Sequence, residues 1–141
     1  MLPGHAVLKG DVRARVPADR EAIERFMRQI TAGVAATHAV EVEMSFNTEF
    51  VETINAEGPA EAACRAGEAA GCEVIRNRPP MSFSEDFAHF SAAVPGCFLL
   101  LGNGETGSHG QPLHASDYDF NDDLLVPGSS FWVKLVEQEL S

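Results

Sequence analysis

At 141 residues the chain allows one ordinary domain or parts of two, and it is too short for a multidomain enzyme. Its 45% apolar content describes a soluble globular protein, while 21 acidic residues against 10 basic ones give a formal charge of −11, which repels phosphate backbones and anionic membranes and argues against nucleic acid as a partner. No apolar run approaches the roughly 20 residues of a membrane span, and the start has neither the charged nor the apolar stretch of a signal peptide, so a cytoplasmic location is expected. Cys64, Cys72 and Cys97 are odd in number and lack C-x-x-C spacing, which predicts reduced thiols and no disulfide framework.

In chain order, residues 6–14 carry Val7, Leu8 and Val12 and read as a strand. From Pro17 onward, Ile23, Phe26, Met27, Ile30 and Val34 recur on one helical face, with Glu21, Glu24, Arg25 and Arg28 on the other. Val40, Val42, Met44 and Phe46 then alternate with Glu41, Glu43 and Ser45, the period of a half-buried strand. This predicts a strand-helix-strand unit over residues 6–46, about half of a small α/β sandwich and too little to be stable alone.

A different composition begins near Thr53. An Ala-rich helix is expected from about Pro59 to Gly71, followed by a short strand over 72–76. Pro79 and Pro80 break the chain, Ser84 is positioned to cap a short helix through Phe87 and Phe90, and the run 97–101 is apolar on both faces, as in a strand buried in a sheet. A Gly-rich loop over 102–113 leads to a final helix carrying Leu124, Leu125, Phe131, Leu135 and Val136, with Asp122 or Asp123 as its expected cap.

Gly102-x-Gly104-x-x-Gly107 after an apolar run has dinucleotide spacing, but Ser108 to Pro112 is poor helix material and the pyrophosphate needs a helix amino end. Asp117 to Asn121 opens like a calcium loop; position six is Asp122 where glycine is needed, and position twelve is Gly128 where glutamate is needed. Cys97 could pair with His89 or His114 as a nucleophile dyad, although a cysteine inside an apolar run is more often packing. His5, His38 and His109 read as solvated surface. His114 differs: Pro112 stiffens the approach, and Asp117, Asp119, Asp122 and Asp123 supply carboxylates able to orient an imidazole ligand. One histidine does not make a metal site, which takes about three or four protein ligands.

Five stretches taken together, residues 1–13, 50–55, 80–87, 95–102 and 112–122, resemble the metal-dependent amidohydrolases of the hippurate hydrolase and N-acyl-amino-acid aminoacylase type. The resemblance covers essentially the whole chain and implies the carboxy-terminal portion of such an enzyme: residues 1–50 as the second half of a lid/dimerisation domain, and residues 51–141 as the end of a metallopeptidase-like catalytic domain. The fold class implied is α/β with an α+β lid half. Met1 to Pro3 resemble the interior of a lid motif, so a fragment is expected.

The resemblance further implies two divalent metal ions in the complete enzyme, zinc, manganese or cobalt, with His114 as the one ligand here and no catalytic residue in this chain. Arg13, Ser84 and Glu85 become substrate-binding candidates, with Arg13 suited to a substrate carboxylate through a two-pronged hydrogen bond. The implied partners are a small N-acyl amino acid and a second copy through the lid, with no nucleic acid and no membrane. The activity implied is hydrolysis of the substrate amide by a metal-activated water, the portion itself being inactive. A non-catalytic remnant or dimerisation module is the alternative.

Overall fold

In a computed structural model, which describes residues 4–141, the regular structure is helical throughout. The first three residues of the 1–13 stretch lie outside the described residues, and with them the assignment of Met1 to a lid interior. Four α-helices follow in order: α1 (Pro17–His38), α2 (Glu57–Ala69), α3 (Phe87–Ala93) and α4 (Leu125–Glu139). Two single 3-10 turns, Gly107–His109 and Asp122–Leu124, lie in and after the Gly-rich loop.

Helix α1 starts where the pattern predicts, with Val16 extended before Pro17, whose missing N–H costs nothing in a first turn, and Asp19 on the positive end of the dipole. It ends on Ala39 in the left-handed region at φ 49°, and the Val40 N–H closes the end onto the Ala35 carbonyl at 3.1 Å. Its apolar stripe forms but is not covered: α1 buries no residue, and Phe26 remains 53% exposed and Ile30 66%.

Burial is concentrated instead where α2 packs on α4. Ala62, Ala66 and Gly67 are the buried residues of α2, and Phe131 is that of α4. Small side chains let the two backbones approach, and Gln138 Nε2 reaches the Ala62 carbonyl at 3.3 Å. A side chain at Gly67 would start 3.0 Å from Val74 Cγ2, so the chain leaving α2 folds back onto it. Arg76 fixes that return by bonding Glu61 at 2.6 Å and Glu68 at 2.8 Å. A second cluster joins α3 to the segment before the loop: the Phe87 ring lies 5.7 Å from Phe98 and 6.0 Å from Phe90, centre to centre.

The expected α/β class, including the α+β lid half, is overturned, because residues 6–14, 40–46, 72–76 and 97–101 form no strand and no sheet is present among the described residues. Alternation states which side chains would share a face; a strand additionally requires a neighbouring backbone to hydrogen-bond. These segments are tied by side chains instead. Asn55 Nδ2 donates to the Phe98 carbonyl at 2.9 Å, its Oδ1 accepts from the Phe98 N–H at 2.8 Å, and the Ala56 N–H donates to the Gly96 carbonyl at 2.9 Å. Ser84 is not the cap of α3, which Asp86 precedes without a side-chain cap bond. Neither Asp122 nor Asp123 caps α4, which Leu124 precedes without a side-chain cap bond; Asn121 caps the 3-10 turn before it, accepting from the Asp123 N–H at 3.1 Å.

Among the described residues, three polar contacts tie residues 13–49 to residues 52–89. Arg20 Nε bonds Glu52 Oε1 at 3.2 Å with the carboxylate side chain only 7% exposed, His89 Nε2 lies 3.2 Å from the Glu49 carbonyl oxygen, and Arg13 bonds Ser84. The left-handed Ala39 carries a Cβ where glycine is cheaper by about 1 kcal/mol. Ala39→Gly is therefore expected to slow amide exchange of Val40 and the last turn of α1 by about fivefold; unchanged or faster exchange would show that the helix end is held from elsewhere.

Candidate functional site

Arg13 Nη1 donates to Ser84 Oγ, and Nη2 lies 3.7 Å from Asp11 Oδ2. The guanidinium is half exposed and borders a shallow groove of about 390 Å³ lined also by Arg15, Asp19, Ile23 and Phe26 at the start of α1. Ser84 and Glu85 are partly buried just before α3, where the Glu85 carbonyl accepts from the Ala88 N–H at 3.3 Å. Two of the three substrate-binding candidates thus meet although 71 residues separate them. The grouping places one cation and one hydroxyl at an open surface, an arrangement able to receive a carboxylate.

His114 is exposed, and among the described residues it makes no hydrogen bond to Arg13, Ser84 or Glu85. It occupies the third position of a turn closed by the Ala115 N–H on the Pro112 carbonyl at 3.1 Å, with φ 71°. That position of a type II turn demands positive φ and is ordinarily filled by glycine. His114 therefore carries a Cβ in the left-handed region, where a side chain is strained. Among the described residues, no group of three or more His, Cys, Asp or Glu could hold a metal ion. His114 offers a single donor, so the residues of this chain do not fit a complete metal centre.

The Cys97 dyad does not form. Cys97 Sγ points at the Phe98 carbonyl at 3.8 Å, and His89 Nε2 is turned to Glu49. Burial, with a smaller contribution from Cys64, pushes the Cys97 thiol up from its ordinary value, the opposite of what a nucleophile needs. All three cysteines are unbridged. His109 departs from its solvated reading: it is half-buried, with Nδ1 3.3 Å from the Asp119 carbonyl oxygen and 3.6 Å from Asp119 Oδ2. Sequence inspection also passed over Asn103, which bonds Asn121 and the loop around His114. The available signal was an asparagine between two glycines just after an apolar run. No described helix is long and apolar enough to cross a membrane.

Two outcomes follow from this geometry. The rate of Cys97 alkylation by iodoacetamide, followed against pH, is expected to reach its half-maximum at higher pH in the folded chain than in urea; a midpoint at or below the unfolded one would contradict the burial argument. His114→Gly relieves the left-handed backbone and should hold or raise the urea midpoint, whereas His114→Val should cost about 1–2 kcal/mol. Equal midpoints for the two variants would mean that the turn is not formed in solution.

Residues 5–138 match the model of peptidase family M20/M25/M40. The chain is 27% identical over 129 residues to an uncharacterized hydrolase of Sinorhizobium fredii, covering 91% of this chain and 32% of that protein. It is 31% identical over 139 residues to hippurate hydrolase of Campylobacter jejuni, covering 96% and 35%, and 23% identical over 136 residues to N-acetylcysteine deacetylase of Bacillus subtilis, covering 96% and 34%. The chain therefore spans about a third of the length of the curated relatives it matches. No solved structure matches it. The match over nearly the whole chain places it in peptidase family M20/M25/M40, a hydrolase family that is broadly metal-dependent.

Proposed function

We propose that this chain is a non-catalytic interaction module of the M20/M25/M40 type, one that associates through apolar helix faces and does not hydrolyse amides by itself. The observation that carries this reading is the imbalance of burial. Ala62, Ala66, Ala88 and Phe131 are the buried apolar side chains, while Phe26, Ile30 and Val34 on α1 and Trp132, Val133 and Val136 on α4 stand exposed. Single exposed apolar residues are ordinary, but contiguous stripes on two helices favour association. A second copy through residues 1–50, the proposed lid/dimerisation half, is the partner this reading favours. The lack of a metal-holding group among the described residues supports the non-catalytic part.

Within a longer amidohydrolase the same residues acquire a second reading, favoured by the Arg13–Ser84 hydrogen bond and the likeness to hippurate hydrolase. There, residues 51–141 are the carboxy-terminal part of the catalytic domain. Arg13, Ser84 and Glu85 receive the carboxylate side of an N-acyl amino acid, and His114 supplies one donor to a two-metal centre whose other ligands lie outside this chain. A divalent metal pair supplies the activation of water in such enzymes. This chain's share is to bind and orient the substrate.

The purified 141-residue chain is expected to show no turnover of hippurate or N-acetyl amino acids, no stoichiometric zinc, manganese or cobalt, and a light-scattering mass that rises with concentration. Turnover with stoichiometric metal would overturn the module reading; a strictly monomeric chain at high concentration would remove its association part. In an intact enzyme carrying these residues, Arg13→Lys should raise KM for N-acyl amino acids and leave an amide analogue without the carboxylate nearly unaffected. Equal losses on both would reduce Arg13 to a structural role.

A further inference from the structure

Asn103 stands where the apolar run 97–101 has ended and the loop carrying His114 begins. Its side-chain Nδ2 donates to two carbonyls, that of His109 at 3.0 Å and that of Asp119 at 2.8 Å. Its Oδ1 accepts from the Asn121 N–H at 2.8 Å, and its main-chain carbonyl accepts from Asn121 Nδ2 at 3.1 Å. A carboxamide has two N–H donors and one carbonyl acceptor, and all three functions of this side chain are used.

The partners lie on both arms of the loop. His109 ends the outgoing arm, Asp119 and Asn121 lie on the returning arm, and His114 stands between them. The outgoing arm is already compact: a Cβ at Gly110 would fall 2.8 Å from the Thr106 Cα and N. On the returning side, short turn bonds run from the Ala115 N–H to Pro112 and from the Tyr118 N–H to Ala115, and His109 Nδ1 approaches Asp119 from the outgoing arm at 3.3 Å. Closing such a loop costs chain entropy, and one side chain bonding both ends at once is an economical closure.

We propose that Asn103 is a positioning residue: it clamps the two arms of the loop and thereby fixes where the His114 imidazole is presented. The functional meaning of the clamp rests on the reading of His114 as a site residue; the clamp itself does not. No neighbouring residue type replaces it. Aspartate keeps the acceptor toward Asn121 but sets a carboxylate against the carbonyls of His109 and Asp119, and alanine loses every side-chain bond.

The test uses the isotope-labelled 141-residue chain, without metal or substrate. In Asn103→Ala, exchange of the Asn121 amide should accelerate about tenfold or more. The ring signals of His109 and His114 should shift or broaden, while those of His38 on α1 and His89 on α3 stay in place. Asn103→Asp should retain more of the Asn121 protection yet disturb His109 and His114 similarly; if the alanine variant unfolds, this variant carries the same readout. Unchanged His114 signals and Asn121 exchange would overturn the proposal. So would a variant that moves all four ring signals together, because Asn103 would then support the fold at large. His114→Ala in an intact enzyme separately tests whether the histidine serves hydrolysis, and it can fail while the clamp stands.

Discussion

A peptide group without a strand neighbour must still find hydrogen bonds, and in this chain two asparagine side chains take the neighbour's place. Asn55 presents an amide edge to Phe98 and satisfies both its N–H and its carbonyl, much as a paired residue in a sheet would. Asn103 does the same for two carbonyls and an N–H at once. The segments at 50–55, 96–103 and 119–121 hold their relation to α3 and α4 largely through these contacts and the Phe83, Phe87 and Phe98 rings. With four buried apolar side chains, hydrophobic burial alone would leave them loosely placed.

What the sequence disclosed depends on whether the physics involved is local. Helix α1 was legible in its start and its face, because the spacing of Ile23, Phe26, Ile30 and Val34 and the Pro17 start are properties of one segment, and α2 and α4 were legible from local composition and pattern with their bounds displaced. The strands were not, since the alternation from Val40 to Phe46 says nothing about whether a second backbone is there to pair with. The Arg13–Ser84 hydrogen bond was not legible, because neither periodicity nor composition says how two segments 71 residues apart meet. Asn103 escaped notice for a chemical reason: it neither titrates nor binds metal strongly, so a search for catalytic side chains passes over it.

The ion pairs of the chain are of unequal weight. Arg20 and Glu52 are mostly shielded from water, which strengthens their attraction but requires both partners; removing either would strand a charge. Arg28 with Glu24, 2.7 Å apart on the α1 surface, is the ordinary exposed kind and contributes little. Membership of the M20/M25/M40 family gives these contacts a context, because the chain spans only about a third of the relatives' length. The apolar stripes of α1 and α4 stand exposed among the described residues.

Asn103 is followed by Gly104, and that dipeptide carries a chemical liability. With no side chain on the following residue, its peptide nitrogen can attack the carboxamide carbon, expel ammonia and close a succinimide, which water opens to aspartate or isoaspartate. The clamp opposes this while it is closed, since bonds to His109, Asp119 and Asn121 hold the carboxamide in place. Each opening of the loop exposes the group, and each conversion removes the donors that would have closed it again. Ageing of the protein should therefore begin at this residue and leave the loop unclamped, detectable as a one-site mass change in the peptide that spans it.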